Sequence, residues 1–182
     1  IHMQRIGFEN EESENELIGF EHESNHMTAL LLFDITELEE VRQENVDLKL
    51  VPAIIYIDNY DEIVDKVEIV KKSMLTAVID RKITAYFQAM DGIVEKIEKD
   101  KYFVAFQYRY LKKLEENRFS LLEEVKSIHM GNDSDVTLSI GVGVGAQTYT
   151  ESLEFASAAI NIALGRGGSQ AVIKDGKSVS YY

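Results

Sequence analysis

The chain has 182 residues, of which 45% are hydrophobic, and its formal net charge is -13 because 32 acidic side chains outnumber 19 basic ones. This length supports one good hydrophobic core, so we expect one globular domain, with room for a fragment of a second. The acidic surface argues against a general nucleic-acid binder, although a local pocket for one small phosphate ligand remains possible. The absence of cysteine excludes disulfides, thiolate zinc sites and cysteine nucleophiles.

The first fifty residues are weakly patterned. An apolar, strand-like run from Ala29 to Phe33 is followed by a charged stretch with an imperfect apolar stripe. This pattern predicts a helix over residues 36–50 that serves as a linker or pairs with a second copy. No apolar run approaches the ~20 residues that span a bilayer, so we expect the chain as given to be soluble.

A new pattern begins at Val51. The run "VPAIIYIDNY" is apolar until its end, which is typical of a strand buried on both faces. Apolar residues at helical spacing then predict one long helix, and a second helix is expected through Ile83 and Phe87. The first helix is indicated by Ile63, Val67, Val70, Met74 and Val78.

The second half of the chain alternates strands and helices. Residues 94–107 predict a hairpin with a charged tip, and the next helix places Leu111, Leu114, Leu121, Val125 and Ile128 on one face. "VTLSIGVGVG" predicts a strand with glycines on one side, followed by a helix through Leu153 to Ala163 and a hairpin turning at Asp175-Gly176. The element order predicts an α/β (α+β) fold, with a mixed sheet covered by helices.

Four segments carry a family resemblance. "AIIYIDNYDEIVD", "KIEKDKYFVAF", "VTLSIGVG" and "SLEFASAAINIALGRGGSQAVIK" occur in the order and spacing of a GGDEF domain, the catalytic domain of diguanylate cyclases. The ending "ALGRGGSQAVIK" is similar to the degenerate GGDEF domain of membrane-bound cyclic-di-AMP phosphodiesterases, the GdpP or YybT family. In that family two transmembrane helices, a PAS domain, this domain and a catalytic DHH domain follow one another.

The resemblance implies a division of the chain. "LLLFDITELEEV" resembles the last PAS strand and its exit into a signalling helix. Residues 1–35 would then be the C-terminal remnant of a PAS domain, residues 36–50 a linker helix, and residues 51–182 a degenerate GGDEF domain. The implied fold is a nucleotidyl-cyclase-like mixed central sheet with helices on both faces. The parent protein would lie in the cell membrane, with this domain facing the cytoplasm.

The motifs depart from those of an active cyclase. The hairpin tip of the family reads Gly-Gly-Asp/Glu-Glu-Phe, because glycines admit the ligand and carboxylates hold divalent ions. In the first strand, Tyr56 stands where the family has a metal-binding Asp, and Val64 where it has a base-reading Asn. Cyclase activity is therefore not expected. The five tip positions here are Glu98, Lys99, Asp100, Lys101 and Tyr102.

A residual ligand pocket is still implied. Asp58 and Asp100 could share one ion, such as Mg²⁺ arriving with ATP or GTP, although Asp58 could equally cap the following helix. We expect backbone amides after the first strand and three cationic side chains to contact phosphate. As alternatives, the lysines are simply solvated, and the glycines after the helix only end it. These candidates are Asn59, Tyr60, Lys99, Lys101 and Arg166.

Three functions follow as hypotheses. The domain senses a nucleotide or relays PAS signals to a DHH centre beyond residue 182, or it is a weak metal-dependent ATP or GTP hydrolase, or it is a structural dimerisation module. The expected partners are a nucleotide, the PAS and DHH domains of the parent chain, and a second copy in a homodimer. Nucleic acid is not expected to bind.

Overall fold

The computed structural model describes residues 2–7, 26–31, 34–65, 68–129 and 134–182. The chain forms two compact units, Ile1–Gln43 and Glu44–Tyr182. In the first unit, strands β1 (His2–Gly7) and β2 (His26–Leu31) pair antiparallel, with His2 opposite Leu31. Strand β2 contains the first part of the predicted run Ala29–Phe33, whose last two residues lie outside the described residues.

The predicted linker helix is present as α1 (Thr36–Asp47). The carboxylate of Asp34 accepts hydrogen bonds from the backbone N–H of Thr36 at 3.0 Å and from its hydroxyl at 2.7 Å. These two bonds lower the pKa of Asp34. Although α1 is fully described, none of its residues is buried.

The second unit is built on a six-stranded sheet with the order β4-β5-β3-β6-β7-β8. The β6–β7 pair is parallel and the other four pairs are antiparallel, so the predicted mixed sheet is confirmed. The final hairpin turns at Asp175 and Gly176, as predicted. The strands are β3 (Leu50–Ile57), β4 (Ile93–Lys96), β5 (Lys101–Gln107), β6 (Leu138–Val144), β7 (Ala171–Asp175) and β8 (Ser178–Tyr181).

Strand β3 is central and buried on both faces. Ala53, Ile55 and Ile57 join the larger core, which the helices between β3 and β6 cover. Ile54 points to the other face and packs with Ala156 and Ile160 of helix α6 (Tyr149–Gly165). Helices therefore cover both faces of the sheet, which confirms the fold class. Across residues 34–65, 68–129 and 134–182, no helix combines the length and apolar character that a membrane crossing needs.

The first helical region differs from the prediction. It consists of α2 (Tyr60–Asp65) and α3 (Ile69–Gln88), so the break precedes Ile69 and does not lie between Val78 and Ile83. Met74 is 53% exposed. Apolar residues spaced four apart continue along α3 past the position of the predicted break, and all of them are fully buried. Val67 lies outside the described residues. The buried stripe is Leu75, Ile79, Ile83 and Phe87.

The prediction of a single helix after the hairpin is also wrong. A 3-10 turn (Tyr108–Tyr110) leads into α4 (Leu111–Glu116), and α5 (Leu121–Lys126) follows after a break. Arg118 and Phe119 have positive φ angles of 51° and 53° in this break, and the Phe119 side chain is fully buried. All five predicted apolar residues of this region are buried. The break exists because a continuous helix would not also bring Phe119 into the core.

The glycines of β6 allow close contact with α6. A Cβ atom at Gly141 would lie 2.3 Å from the backbone nitrogen of Ile160, and one at Gly143 would lie 1.9 Å from the carbonyl oxygen of Ser152. The strand and the helix backbone therefore touch where side chains would otherwise separate them. The prediction that the glycines leave space on this face of β6 is confirmed, and helix α6 fills that space.

We predict that Gly143→Ala destabilises the fold by at least ~1–3 kcal/mol, because the backbone of α6 would have to move away from β6. Gly165→Ala is the matched control, since a Cβ atom there meets nothing within 4 Å. The control should be neutral or stabilise helix α6 by up to about 1 kcal/mol. Urea unfolding of both variants measures the difference, and equal midpoints would contradict the close contact.

Candidate functional site

The candidate site lies where β3 ends, beside the tip of the β4–β5 hairpin (residues 97–100). The N–H of Ile57 donates to the carbonyl of Asp100 at 2.8 Å, and the N–H of Asp58 donates to the carbonyl of Thr137 at 2.9 Å. Backbone hydrogen bonds therefore position Asp58 between the hairpin tip and the segment that enters β6.

The side chain of Asp58 is held by the loop between α6 and β7. Its Oδ2 accepts a hydrogen bond of 2.8 Å from the backbone N–H of Ser169. A Cβ atom at Gly168 would lie 2.8 Å from the same carboxylate, so only glycine allows this approach. Oδ1 is buried and has no hydrogen-bond partner in the described part of the chain. Asp58 thus joins β3 to a loop 111 residues later, and among the described residues its carboxylate forms no capping bond to α2.

Asn59 fixes the turn that follows. Its side-chain amide donates to the carbonyl of Asp135 at 2.7 Å, and its Oδ1 accepts from the N–H of Thr137 at 3.2 Å. The side chain of Asn59 is therefore engaged within the chain. The backbone N–H groups of Asn59 and Tyr60, at the start of α2, remain the parts of this turn that we predict to contact phosphate.

Both tip lysines form contacts within the domain. The Lys99 ammonium pairs with Asp61 and lies 5.7 Å from the centre of the Tyr60 ring. The hydrogen bond to Asp61 raises the pKa of Lys99. The Lys101 ammonium lies 3.9 Å from Glu98. Solvent screens exposed ion pairs of this kind, so they contribute little to stability.

Tyr56 and Lys101 contact each other across neighbouring strands. They are directly opposite in the β3–β5 register, and the ammonium lies 5.2 Å from the centre of the Tyr56 ring. A cation–π contact contributes roughly 0.5–2 kcal/mol, depending on its solvent exposure. The family resemblance assigns metal ligands to both positions, and here an aromatic ring and a cation meet there instead.

Asp100 adds little to an ion site. Its carbonyl binds Ile57, but the structure shows no hydrogen bond or ion pair of its carboxylate within residues 34–65, 68–129 and 134–182. Over the same residues, no group of three or more His, Asp or Glu side chains is arranged to hold a metal ion. The residues present do not fit an ion held by protein ligands alone. Whether Asp58 and Asp100 contact an ion that a nucleotide carries remains a prediction.

Arg166 ends helix α6 and lies against the last strand. Its guanidinium stacks 4.4 Å from the centre of the Tyr181 ring, and its Nε donates to Gln170 at 3.3 Å. The glycine loop that begins here has positive φ angles at Gly167 (105°), Gly168 (75°) and Ser169 (54°). The structure thus brings this loop to Asp58, while the guanidinium itself packs on β8.

Sequence reasoning missed Ser169 and Asp80 in this region, and it did not predict the partner of Tyr102. Ser169 supplies the hydrogen bond to Asp58, and the consecutive glycines before it were the available signal. The Tyr102 hydroxyl donates to Asp80 on α3, which ties the hairpin to α3 next to its tip. Burial, followed by this hydrogen bond, raises the pKa of Tyr102. Because these partners are distant in the sequence, no local pattern predicts their contact.

The chain matches a family model described as the GGDEF domain of GdpP-like cyclic-di-AMP phosphodiesterases, over residues 55–181. It is 32% identical over 158 residues to the cyclic-di-AMP phosphodiesterase GdpP of Geobacillus thermodenitrificans, covering 86% of this chain and 24% of that protein. It is 30% identical over 145 residues to the cyclic-di-AMP phosphodiesterase PdeA of Listeria monocytogenes, covering 80% of this chain and 22% of that one. The chain therefore spans about a quarter of the length of these relatives.

Solved GGDEF domains share the fold. The active GGEEF domain of a diguanylate cyclase from Vibrio cholerae superposes with a TM-score of 0.59 at 13% identity, covering 75% of this chain and 89% of that one. The FimX GGDEF domain from Pseudomonas aeruginosa gives a TM-score of 0.57 at 15% identity, covering 79% and 94%. At these identities the likeness shows the fold alone.

Proposed function

Because the chain belongs to the GGDEF domains of the GdpP-like cyclic-di-AMP phosphodiesterases, we propose that it is a regulatory domain without diguanylate cyclase activity. In this proposal it senses a nucleotide and relays the signal of a preceding PAS domain to a DHH phosphodiesterase centre. Both of those domains belong to a longer, membrane-anchored parent protein. The domain itself then performs no essential chemistry.

The contact between Tyr56 and Lys101 is the observation that carries this proposal. In a cyclase, the two positions would present carboxylates to divalent ions that activate the attacking hydroxyl. A hard cation requires several oxygen ligands. A ring with an ammonium 5.2 Å from its centre offers no carboxylate and adds a repelling charge. This replacement supports the loss of cyclase chemistry while the surrounding sheet is retained.

The same region retains groups that suit a phosphate ligand. The N–H groups of Asn59 and Tyr60 could receive phosphate oxygens, and Lys99 and Lys101 lie at the hairpin tip beside them. Their carboxylate partners are largely exposed, with 70% of the Asp61 side chain accessible. A triphosphate would therefore displace a weak surface pair rather than a buried one. Mg²⁺, when it accompanies ATP or GTP, would neutralise part of the phosphate charge.

We predict that calorimetric titration of the chain with ATP or GTP in the presence of Mg²⁺ detects binding, and that the double variant Lys99→Met/Lys101→Met weakens it by about tenfold or more. Each lost contact between a cation and phosphate is a charge-assisted hydrogen bond of roughly 1.5–3 kcal/mol. Lys113→Met is the matched control, because this exposed lysine lies on α4.

The outcomes of this titration separate the alternatives. No heat at millimolar nucleotide would contradict nucleotide sensing and leave a relay or dimerisation module. The second candidate, a weak ATP or GTP hydrolase, is favoured by the buried Oδ1 of Asp58, which has no partner among the described residues. Slow release of phosphate that Asp100→Ala abolishes would support the hydrolase.

We further propose that the domain forms a homodimer through α1. Leu38 and Val41 of α1 are each 49% exposed, and Leu48, which directly follows the helix, is 45% exposed. With Asn45 they follow the alternating spacing of three and four residues of a coiled-coil seam. A helix of twelve residues is marginal in water without a packing partner. Pairing of two copies along this seam would cover these side chains.

The dimer can be tested by cross-linking, because the chain contains no cysteine. We predict that Val41→Cys, on the seam, forms a disulfide-linked dimer under mild oxidation. Glu40→Cys, on the outer side of the same helix, should cross-link far more slowly. Equal cross-linking of the two variants, or a monomer in sedimentation velocity at every concentration, would contradict pairing through α1.

A further inference from the structure

A cavity of about 620 Å³ lies at the opposite end of the sheet from the candidate site. Its lining includes Leu50 and Val51 at the start of β3, and Val144 at the end of β6. Because β3 runs the height of the sheet, the cavity lies on the order of 20 Å from Asp58. Its volume falls in the range of small-molecule sites, and nothing in the proposed function uses it.

The first turn of α6 faces this cavity and offers hydrogen-bond donors. Thr148 and Glu151 cap the helix, since the Thr148 hydroxyl accepts from the N–H of Glu151 and the Glu151 carboxylate accepts from the N–H of Gln147, both at 3.2 Å. The N–H groups of Tyr149 and Thr150 have no carbonyl one turn earlier to receive them. The start of this seventeen-residue helix therefore has two donors left for a ligand.

Ser152 is the second and independent sign of a ligand. It lines the cavity and is only 9% exposed, and the structure shows no hydrogen bond of its hydroxyl within the described part of the chain. A phosphate oxygen bound at the start of α6 would accept a hydrogen bond from this hydroxyl.

Two opposite charges flank the cavity. Lys49 precedes β3 and Asp175 ends β7, with β6 between the two strands. Within the described residues, the structure shows no ion pair of either side chain. Two strand spacings separate them, which is roughly 10 Å. Gly145 allows the Asp175 carboxylate to lie where it does, because a Cβ atom at position 145 would lie 1.7 Å from that carboxylate.

Two tyrosines complete the cavity. Tyr108 is 39% exposed and Tyr149 is 64% exposed, and both line it. Exposed aromatic rings beside a cavity are suited to stacking on a planar ligand such as a nucleobase. Among the described residues, Lys49 is the one lysine of the lining, which favours a ligand with one phosphate group over one with three.

We propose that this cavity is a second site, which binds a guanine nucleoside monophosphate. The phosphate accepts hydrogen bonds from Lys49, from the first turn of α6 and from the Ser152 hydroxyl, and the base stacks on a tyrosine. The Asp175 carboxylate accepts from the two adjacent N–H groups of guanine. Adenine presents a single amino donor beside a ring acceptor, so a carboxylate binds it less well.

The experiment is calorimetric titration of the full chain with GMP, AMP, guanosine and inorganic phosphate in parallel. We expect GMP to bind about tenfold or more tightly than AMP, and guanosine and phosphate to bind more weakly than GMP. Lys49→Met and Ser152→Ala should each weaken GMP binding by about tenfold. Asp175→Asn should remove most of the preference for GMP over AMP.

Two controls separate this site from the candidate nucleotide site. Lys113→Met on α4 and Lys99→Met at the hairpin tip should leave GMP binding unchanged, and thermal unfolding checks that every variant folds. No binding of GMP at millimolar concentration to the folded chain would overturn the proposal. Binding that Lys49→Met and Asp175→Asn leave unchanged would overturn it as well. Loss of GMP binding on Lys99→Met would place the ligand at the hairpin tip and contradict a second site.

Discussion

The register of strand β3 is the constraint on which the rest of the domain depends. β3 pairs with β5 on one side and β6 on the other, so its residues 53–56 have fixed neighbours in both strands. This register sets Tyr56 opposite Lys101 and also opposite Ser139. A slip by one residue would turn every side chain of β3 to the other face. The identity of the residues at the candidate site is therefore inseparable from the packing of the sheet.

The packing does not need the chemistry of an active cyclase. The larger core and the close contact of α6 with the β6 glycines lie inside the sheet layers, whereas Tyr56 and Lys101 meet near the end of the strands. Tyr56 packs against the smaller core from this position, so a tyrosine here is compatible with the packing of the sheet. This separation explains how a fold shared with nucleotide-processing domains can persist in a domain that we propose to be regulatory.

The sequence predicted the parts of the fold that depend on local pattern. The apolar run of β3, the alternation in β6 and the Asp175-Gly176 turn each carry their own signal, and all three were confirmed. The break between α4 and α5 was not predicted, since burial of Phe119 overrides the continuous helical spacing around it. The structure, not any local pattern, defined the hydrogen bond from Ser169 to Asp58, which joins residues 111 positions apart. Tyr56 and Lys101 were both singled out, but their contact depends on strand register.

We propose that the contact between Tyr56 and Lys101 occupies the place of a divalent-ion site. The most direct test is backbone NMR of the isotope-labelled chain during addition of Mn²⁺ without nucleotide, beside the double variant Tyr56→Asp/Lys101→Glu. We predict that wild-type signals of the hairpin tip are no more broadened than those of other acidic loops, whereas the variant shows broadening centred on residues 98–101. Selective broadening at the hairpin tip of the wild-type chain would contradict the account.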